Sequence, residues 1–146
     1  MYAIEKTEYG IHLTFGGTIP GEEMANWVRE FRVVVDSIKS DYMVFVDMRD
    51  LKTLSKFAQD QMKVGQTLAR EGGMVRSVVI LADPKIKMQF VGIAKETGIY
   101  EWERYIDSST EADWEEKGML WIVGAVDPDS SKHNSESQRI FISGIK

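Results

Sequence analysis

Aspartates follow three predicted strands of this sequence, where their carboxylates could hold a divalent cation. Asp47 follows one apolar run, with Asp50 shortly after it. Asp83 and Asp107 follow two later runs. In an open α/β sheet, ligands bind beyond the carboxyl ends of the strands, and Mg²⁺ prefers oxygen ligands. One hypothesis is therefore a Mg²⁺-dependent phosphotransfer domain, with Asp47, Asp50 and Asp83 as the candidate metal ligands.

The same aspartates have a simpler role in capping turns and helices. An Asp carboxylate accepts hydrogen bonds from the N–H groups that a following turn or helix leaves free. Asp50 and Asp83 each precede a predicted helix, and Asp107 precedes a predicted capping box. Basic side chains nearby would also neutralise much of the acidic charge: Arg49, Lys52 and Lys85. We therefore favour the structural roles and expect neither a metal nor another cofactor.

Catalysis by histidine, by cysteine or by a known motif finds no support in the sequence. His12 lies on the polar face of a predicted strand and His133 in a polar C-terminal stretch, so neither has a neighbouring base or orienting partner. Cysteine is absent, which excludes disulfides, thiolate catalysis and cysteine-ligated metals. The sequence has no nucleophile elbow, phosphate-binding loop or zinc-protease helix. We therefore expect a protein that is not an enzyme.

The composition indicates one ordinary globular domain. The chain has 146 residues, of which 43% are hydrophobic and 28% are charged. Its 18 basic and 23 acidic residues leave a net charge of −5, which disfavours nucleic-acid binding because that binding depends on neutralising phosphates. No apolar run approaches about 18 residues, and the first residues lack a signal-peptide pattern. We expect a cytoplasmic protein with no membrane span and no nucleic-acid partner.

Hydrophobic periodicity predicts an alternation of strands and helices. Period-two patterns and β-branched residues predict strands at 2–8, 11–19, 42–46, 75–82 and 102–106, the first two paired as a hairpin. Apolar residues spaced three and four apart predict four helices: 22–37, a second from the N-cap Ser55 to Gly72, a third from 86 to 97, and a last one opened by a capping box at 108–111. A loop is expected at 47–54.

The order of these elements is β-β-α-β-α-β-α-β-α. It predicts an α/β fold with largely parallel central strands joined by right-handed crossovers. We expect the domain at 1–126. Residues 127–146 form a predicted polar linker and then an apolar, strand-like tail that includes Ile140, Phe141 and Ile142. Such a strand must pair with something, in this chain or in a neighbour.

Several segments of the chain occur in the order and spacing of a known family. The hairpin is followed by Gly-Thr-Ile at 17–19 and by an acidic helix start at 22–23. Next come the runs Tyr-Met-Val-Phe-Val-Asp-Met-Arg-Asp-Leu at 42–51, Val-Val-Ile-Leu-Ala-Asp at 78–83, Tyr-Ile-Asp at 105–107 and Gly-Met-Leu-Trp-Ile at 118–122. In this order, residues 1–125 resemble the SpoIIAA-like STAS family, small bacterial and archaeal domains related to anti-sigma-factor antagonists.

The resemblance implies a mixed sheet with helices mainly on one face, and a regulatory role in protein–protein interaction. Phosphorylatable members carry Asp-Ser-Ser-Gly after the central strand, whereas this chain has Lys-Thr-Leu-Ser-Lys-Phe-Ala at 52–58. Ser55 is the nearest hydroxyl, and we expect it to cap a helix. We expect an unidentified protein partner to bind the surface around 47–57, with these candidate residues: Asp47, Arg49, Asp50, Lys52, Ser55 and Lys56.

Two further expectations concern the apolar surfaces. Segments 42–48 and 75–82 are apolar on both faces, yet helices on one side cover only one face. We therefore expect the other face to be covered by a second subunit, in a homodimer, or by the tail. The alternative function is a carrier or sensor of a small apolar, lipid-like ligand. Its pocket would be lined by methionines and tryptophans, although two of the tryptophans fit core positions better: Trp27 and Trp121.

Overall fold

The computed structural model describes residues 1–129 as a five-stranded sheet with four helices. The strands are β1 (Tyr2–Lys6), β2 (Gly10–Gly17), β3 (Tyr42–Leu51), β4 (Met74–Leu81) and β5 (Glu103–Asp107). The helices are α1 (Gly21–Ser37), α2 (Lys56–Glu71), α3 (Pro84–Thr97) and α4 (Trp114–Gly124), with a 3₁₀ turn at Tyr100–Trp102. The predicted tail and His133 lie outside the described residues. Within residues 1–129 we find no helix with the length and apolar character that crossing a membrane requires.

The sheet is mixed and winds in one direction. β1 and β2 form the predicted antiparallel hairpin, and β2, β3, β4 and β5 lie side by side in parallel. Crossovers between parallel strands are right-handed, and each one here steps the same way across the sheet, so α1, α2 and α3 lie on one face. α4 packs on the opposite face. The predicted order of elements is confirmed, as is the mixed sheet with helices mainly on one face.

The larger core lies between the sheet and the three crossover helices. β2 contributes Ile11, Leu13 and Phe15, which alternate with outward-facing positions as predicted. On α1, Trp27 stacks on Phe31 with ring centroids 4.9 Å apart, and it meets Phe15 edge-on at 5.1 Å. Burying a large apolar side chain contributes about 1.5–3 kcal/mol. These contacts therefore hold the hairpin and α1 on the central strands.

A smaller core lies under α4. Its buried residues come from three strands and the helix: Phe45, Val78, Ile80, Ile106, Trp121 and Ile122. The Trp121 indole donates to the Ser77 carbonyl at 2.9 Å, which satisfies its polar edge. At Gly118 a Cβ atom would lie 2.7 Å from Phe45 Cε2, so the helix needs a small residue there. α4 therefore covers β3, β4 and β5 on this face, which corrects the premise of the predicted homodimer, that helices cover only one face of the central strands.

β3 is longer than predicted, so the loop expected at 47–54 is wrong in its first half. After a bulge, Gly16 and Gly17 of β2 pair with Asp50 and Leu51 of β3. The strand therefore continues to Leu51, and the connection to α2 is confined to 52–55. Glycine and aspartate have low strand propensity, which explains why the sequence pattern ends the strand too early.

The start of the last helix also differs from the prediction of a capping box at 108–111. The Asp107 carboxylate accepts hydrogen bonds from the N–H and hydroxyl groups of Ser109, at 2.9 and 2.6 Å. This interaction holds a turn, and α4 begins only at Trp114. The Glu111 carboxylate accepts instead from the Lys117 ammonium at 2.7 Å.

Other helix ends agree with the sequence. The Ser55 hydroxyl caps α2 by accepting from the Ala58 N–H at 3.2 Å. The Asp83 carboxylate caps α3 by accepting from the Lys85 N–H at 2.8 Å. Gly98 ends α3 with φ of 85°, a left-handed conformation that glycine adopts without strain. Side-chain caps thus fix the two helix starts at the carboxyl edge of the sheet.

We predict that Gly65→Ala destabilises the protein although alanine favours helices. A Cβ at Gly65 would overlap the ring of Trp27. Overpacking of this kind costs about 1–3 kcal/mol, against a helix-propensity gain of up to about 1 kcal/mol. Urea denaturation should therefore show a lower free energy of unfolding.

The matched control is Gly92→Ala on α3, where nothing lies within 4 Å of an added Cβ. There the propensity gain acts alone, so the free energy of unfolding should rise by up to about 1 kcal/mol. Equal stability changes for G65A and G92A would contradict the tight packing of Trp27 on α2.

Candidate functional site

Asp47 and Arg49 form an ion pair near the end of β3. The guanidinium donates from Nε to Asp47 Oδ1 at 3.0 Å and from Nη2 to Oδ2 at 2.9 Å. Burial alone would raise the pKa of the Asp47 carboxyl, but the hydrogen bonds from Arg49 outweigh it and hold the pKa below its usual value. Arg49 also lies over the ring of Trp114, with Cζ 4.2 Å from the centroid. Asp47 is therefore ionised and paired, and Arg49 joins it to the first residue of α4.

The other predicted binding residues lie on the connection from β3 to α2. We call its exposed residues, together with Arg49, the β3–α2 surface: Arg49, Asp50, Lys52, Ser55 and Lys56. Lys56 pairs with Asp60 one helical turn away, at 2.8 Å. An exposed pair of this kind contributes little to stability, so the Lys56 ammonium is free to take another partner. The structure thus places five of the six predicted residues at exposed positions of the segment 49–56, with the half-buried Asp47 paired to Arg49.

Hydrogen bonds from two helices fix the backbone of this connection. The Gln89 carboxamide accepts from the Leu54 N–H at 2.9 Å and donates to the Leu54 carbonyl at 3.1 Å. Gln59 donates to the same carbonyl at 3.1 Å. Phe57 is 53% exposed and lies against Gly21, where a Cβ would overlap its ring. A surface on a fixed backbone loses less conformational entropy on binding.

The candidate metal ligands do not form a shared site. Asp47 is paired with Arg49, Asp50 is exposed at the end of β3, and Asp83 caps α3. Within residues 1–129, no three His, Asp or Glu side chains lie close enough together to hold one metal ion. Asp83 and Asp107 instead hold the starts of a helix and a turn.

A groove lies near the Asp47–Arg49 pair, where α4 borders the part of the sheet face that this helix does not cover. We call it the α4 groove; it has a volume of about 370 Å³ and is lined by Tyr9, His12, Phe45, Glu115, Glu116 and Met119. The His12 imidazole stacks on the Phe45 ring, with centroids 5.3 Å apart and planes 10° apart. Phe45 also contacts Trp114, with centroids 6.5 Å apart. The groove and the ion pair therefore share the ring of Trp114 as a neighbour.

Carboxylates give the groove a negative rim. Glu115 and Glu116 are exposed in the first turn of α4, and neither makes a salt bridge within the described part of the chain. Burial raises the pKa of the Tyr9 hydroxyl, a hydrogen bond with Thr7 opposes this, and the charges of Glu5 and Glu115 raise it further. The groove therefore combines aromatic walls with negative charge.

Sequence analysis missed the α4 groove. The alternation of β2 places His12 on the outward face, which is correct. Its contact with Phe45, however, follows from the parallel register of β2 and β3, in which these two residues are paired. The only signal in the sequence was that His12 points outward on β2 and that β3 contains the aromatic residue Phe45. That signal identifies a site only once β2 and β3 are known to be neighbours.

A separate polar cluster is buried on the other face of the sheet. Glu103 is only 4% exposed, and its carboxylate accepts from the Ser77 hydroxyl at 2.7 Å and from the Tyr105 hydroxyl at 2.6 Å. Burial raises the pKa of Glu103 to about 6, although both hydrogen bonds act in the opposite direction. Burial and the neighbouring Glu103 charge also raise the pKa of the Tyr105 hydroxyl. The cluster is therefore a buried acid that ionises near neutral pH.

A cavity of about 40 Å³ lies beside Glu103 in the larger core. Its walls are mainly apolar and include Trp27, Phe31, Met62 and Phe90. A buried water needs about 10–15 Å³, whereas a cavity that binds benzene measures about 150 Å³. The cavity fits a water-sized molecule, and Trp27, which lines it, has a buried indole N–H that finds no hydrogen-bond partner within residues 1–129. It therefore gives no support to a carrier of lipid-like ligands.

Comparison with known proteins adds no relative to this description. No family model matches the chain, and neither a curated protein nor a solved structure matches it. The resemblance to the STAS family therefore rests on the order and spacing of the sequence segments given above.

We predict that Glu103 makes the protein less stable as the pH rises. A carboxyl with a pKa of about 6 in the folded state and 4.5 when unfolded holds its proton more tightly in the folded chain. The stabilisation that Glu103 gives the folded chain by holding this proton is therefore fully present below about pH 4.5. It is lost as the pH rises through about 6, which lowers the free energy of unfolding by about 2 kcal/mol in total.

Urea denaturation of Glu103→Gln between pH 4 and pH 7 tests this prediction. The stability of E103Q relative to the original chain should increase by about 2 kcal/mol over this range. Glu101→Gln, at an exposed position of the adjacent turn, is the control and should leave the pH profile unchanged. Parallel profiles for E103Q and the original chain would contradict the prediction.

Proposed function

We propose that this chain is a non-enzymatic, cytoplasmic regulatory module of the STAS type that binds a protein partner through the β3–α2 surface. The observation that carries the proposal is the pair of hydrogen bonds between Gln89 and the Leu54 backbone, which holds an exposed, charged connection in one conformation. A surface that is already held in one conformation loses less conformational entropy when a partner binds, and so gains affinity.

The composition of the β3–α2 surface also supports binding. Arg49 carries a planar guanidinium, and Phe57 adds a half-exposed aromatic ring at the start of α2. Arginine and aromatic residues are enriched in protein interfaces. Lys52 and Lys56 add positive charge, so we propose that the partner presents acidic groups to this surface.

Ser55 has a structural role that bears on regulation. Its hydroxyl accepts from the Ala58 N–H and so caps α2. The surrounding sequence lacks the Asp-Ser-Ser-Gly pattern of phosphorylatable STAS members. We propose that partner binding does not depend on phosphorylation of this serine.

We further propose that the chain forms a homodimer through the outer face of α4. Three apolar residues on or just after this helix are exposed: Leu120 at 45%, Val123 at 56% and Val126 at 52%. The inner face already carries Trp121 and Ile122, so the helix is apolar on both sides, which is typical of a helix buried on both sides. A second copy packed on α4 would cover this strip.

Charge changes on the β3–α2 surface should weaken partner binding. The test is affinity capture with the full chain, identification of the captured protein, and a binding measurement with both purified proteins. We expect Lys52→Glu combined with Lys56→Gln to weaken binding at least about tenfold. The control is Lys85→Glu combined with Lys87→Gln, on exposed positions of α3, which should leave affinity unchanged. Equal affinity for all three proteins, or no captured partner, would overturn the proposal.

Sedimentation velocity tests the homodimer. The full chain should be dimeric, and Val123→Glu should raise its dissociation constant at least about tenfold because a carboxylate would be buried without a partner. Val33→Glu makes the same change at an exposed position of α1, 70% exposed, and should leave the dimer intact. A monomer at every concentration measured, or equal effects of the two variants, would contradict this dimer.

A further inference from the structure

We propose that the α4 groove binds a basic side chain, lysine or arginine, from a peptide segment of the protein partner. The inference rests on the proposed binding function and names a second contact for it, with a charge preference opposite to that of the β3–α2 surface. The carrying observation is the juxtaposition, around one groove, of aromatic walls and two carboxylates that make no salt bridge with any described residue.

The shape of the groove suits a side chain. Its volume of about 370 Å³ lies at the lower end of the range for ligand pockets, about 300–1,000 Å³. Tyr9, Phe45 and Met119 line it with apolar surface against which the methylene stem of a long basic residue can pack. The face of an aromatic ring also attracts a cation.

The protein already contains one contact of this kind beside the groove. The guanidinium of Arg49 lies 4.2 Å from the centroid of the Trp114 ring, and Trp114 contacts Phe45 of the groove wall. This environment therefore accommodates a guanidinium on an aromatic face. Phe45 itself is only 2% exposed, so the aromatic surface open to a partner's arginine or lysine is that of the half-buried Tyr9 and His12.

The charge around the groove selects a cation. Glu115 and Glu116 are exposed on its rim, and Glu5 of β1 is paired in register with His12. Within residues 1–129, the basic groups facing this region are His12 and Arg49, and the charge of Arg49 is balanced by Asp47. The unpaired charge is therefore negative. An acidic segment would be repelled, and an apolar one would leave two carboxylates buried without a partner.

Titration with a short basic peptide tests the proposal directly. The probe is Ala-Arg-Lys-Arg-Lys-Ala with blocked ends, followed by ¹H–¹⁵N NMR on the full chain. We expect chemical-shift changes concentrated at these residues: Tyr9, His12, Phe45, Glu115, Glu116 and Met119. The same peptide with glutamine at every basic position should cause no change. Chemical-shift changes spread over acidic residues outside the groove, or equal changes with the glutamine peptide, would overturn the proposal.

Variants separate a specific site from general attraction to an acidic protein. Glu115→Gln combined with Glu116→Gln should weaken peptide binding at least about fivefold. Glu30→Gln combined with Glu71→Gln removes the same charge from exposed positions on other helices and should have no more than the small effect of net charge. Tyr9→Ala should weaken binding without changing any charge. Equal effects of the two double variants would contradict the proposal.

The two proposals fail separately. If the lysine variants of the β3–α2 surface abolish partner capture while the peptide does not bind the groove, only the present inference is wrong. If the peptide binds the groove but the lysine variants leave partner affinity unchanged, the groove is a site and the β3–α2 surface is not. Measuring the affinity of the captured partner for the E115Q/E116Q variant then shows whether the groove takes part in that complex.

Discussion

The central constraint in this molecule is that β3 and β4 are apolar on both faces, so both faces of the sheet must be covered. Leaving either face bare would expose a contiguous apolar patch larger than monomers usually carry. One-directional winding with right-handed crossovers places α1, α2 and α3 on the same side. Among the described helices only α4 is not a crossover, and it is the one that covers the opposite face.

The size of α4 then decides how many of the five strands it covers on that face. Its 11 residues span about 16 Å at 1.5 Å per residue. A helix is also about 10–12 Å wide with its side chains, and neighbouring strands lie about 4.8 Å apart, so a helix of this size covers two or three strands whichever way it runs. α4 packs on β3, β4 and β5, and the outward residues of β1 and β2 remain beside it. The α4 groove lies at this border, so it is a direct consequence of covering five strands with one short helix.

Features that depend on sequence neighbours could be predicted, and those that depend on strand register could not. The Ser55 and Asp83 caps each involve residues two or three positions away, and both predictions are confirmed. The capping box failed because both of its N–H groups have backbone partners instead: that of Ser108 donates to the Leu81 carbonyl and that of Glu111 to the Asp107 carbonyl. The contact between His12 and Phe45 joins two strands separated by α1, and no local pattern encodes it. The candidate surface at 47–57 was proposed from its place after the central strand and stays a prediction, whereas the groove beside it was not predicted.

Arg49 connects the two surfaces through a single side chain. Its guanidinium binds both oxygens of Asp47 while its flat face lies on Trp114. Because Trp114 begins α4 and contacts Phe45, the position of Arg49 depends on both β3 and α4. A partner that drew Arg49 away would have to replace the bidentate pair and the ring contact together. A partner that accepts the existing pair finds it already ordered and loses less entropy. Under the proposed function, the partner would therefore recognise the Asp47–Arg49 pair as a unit rather than a released arginine.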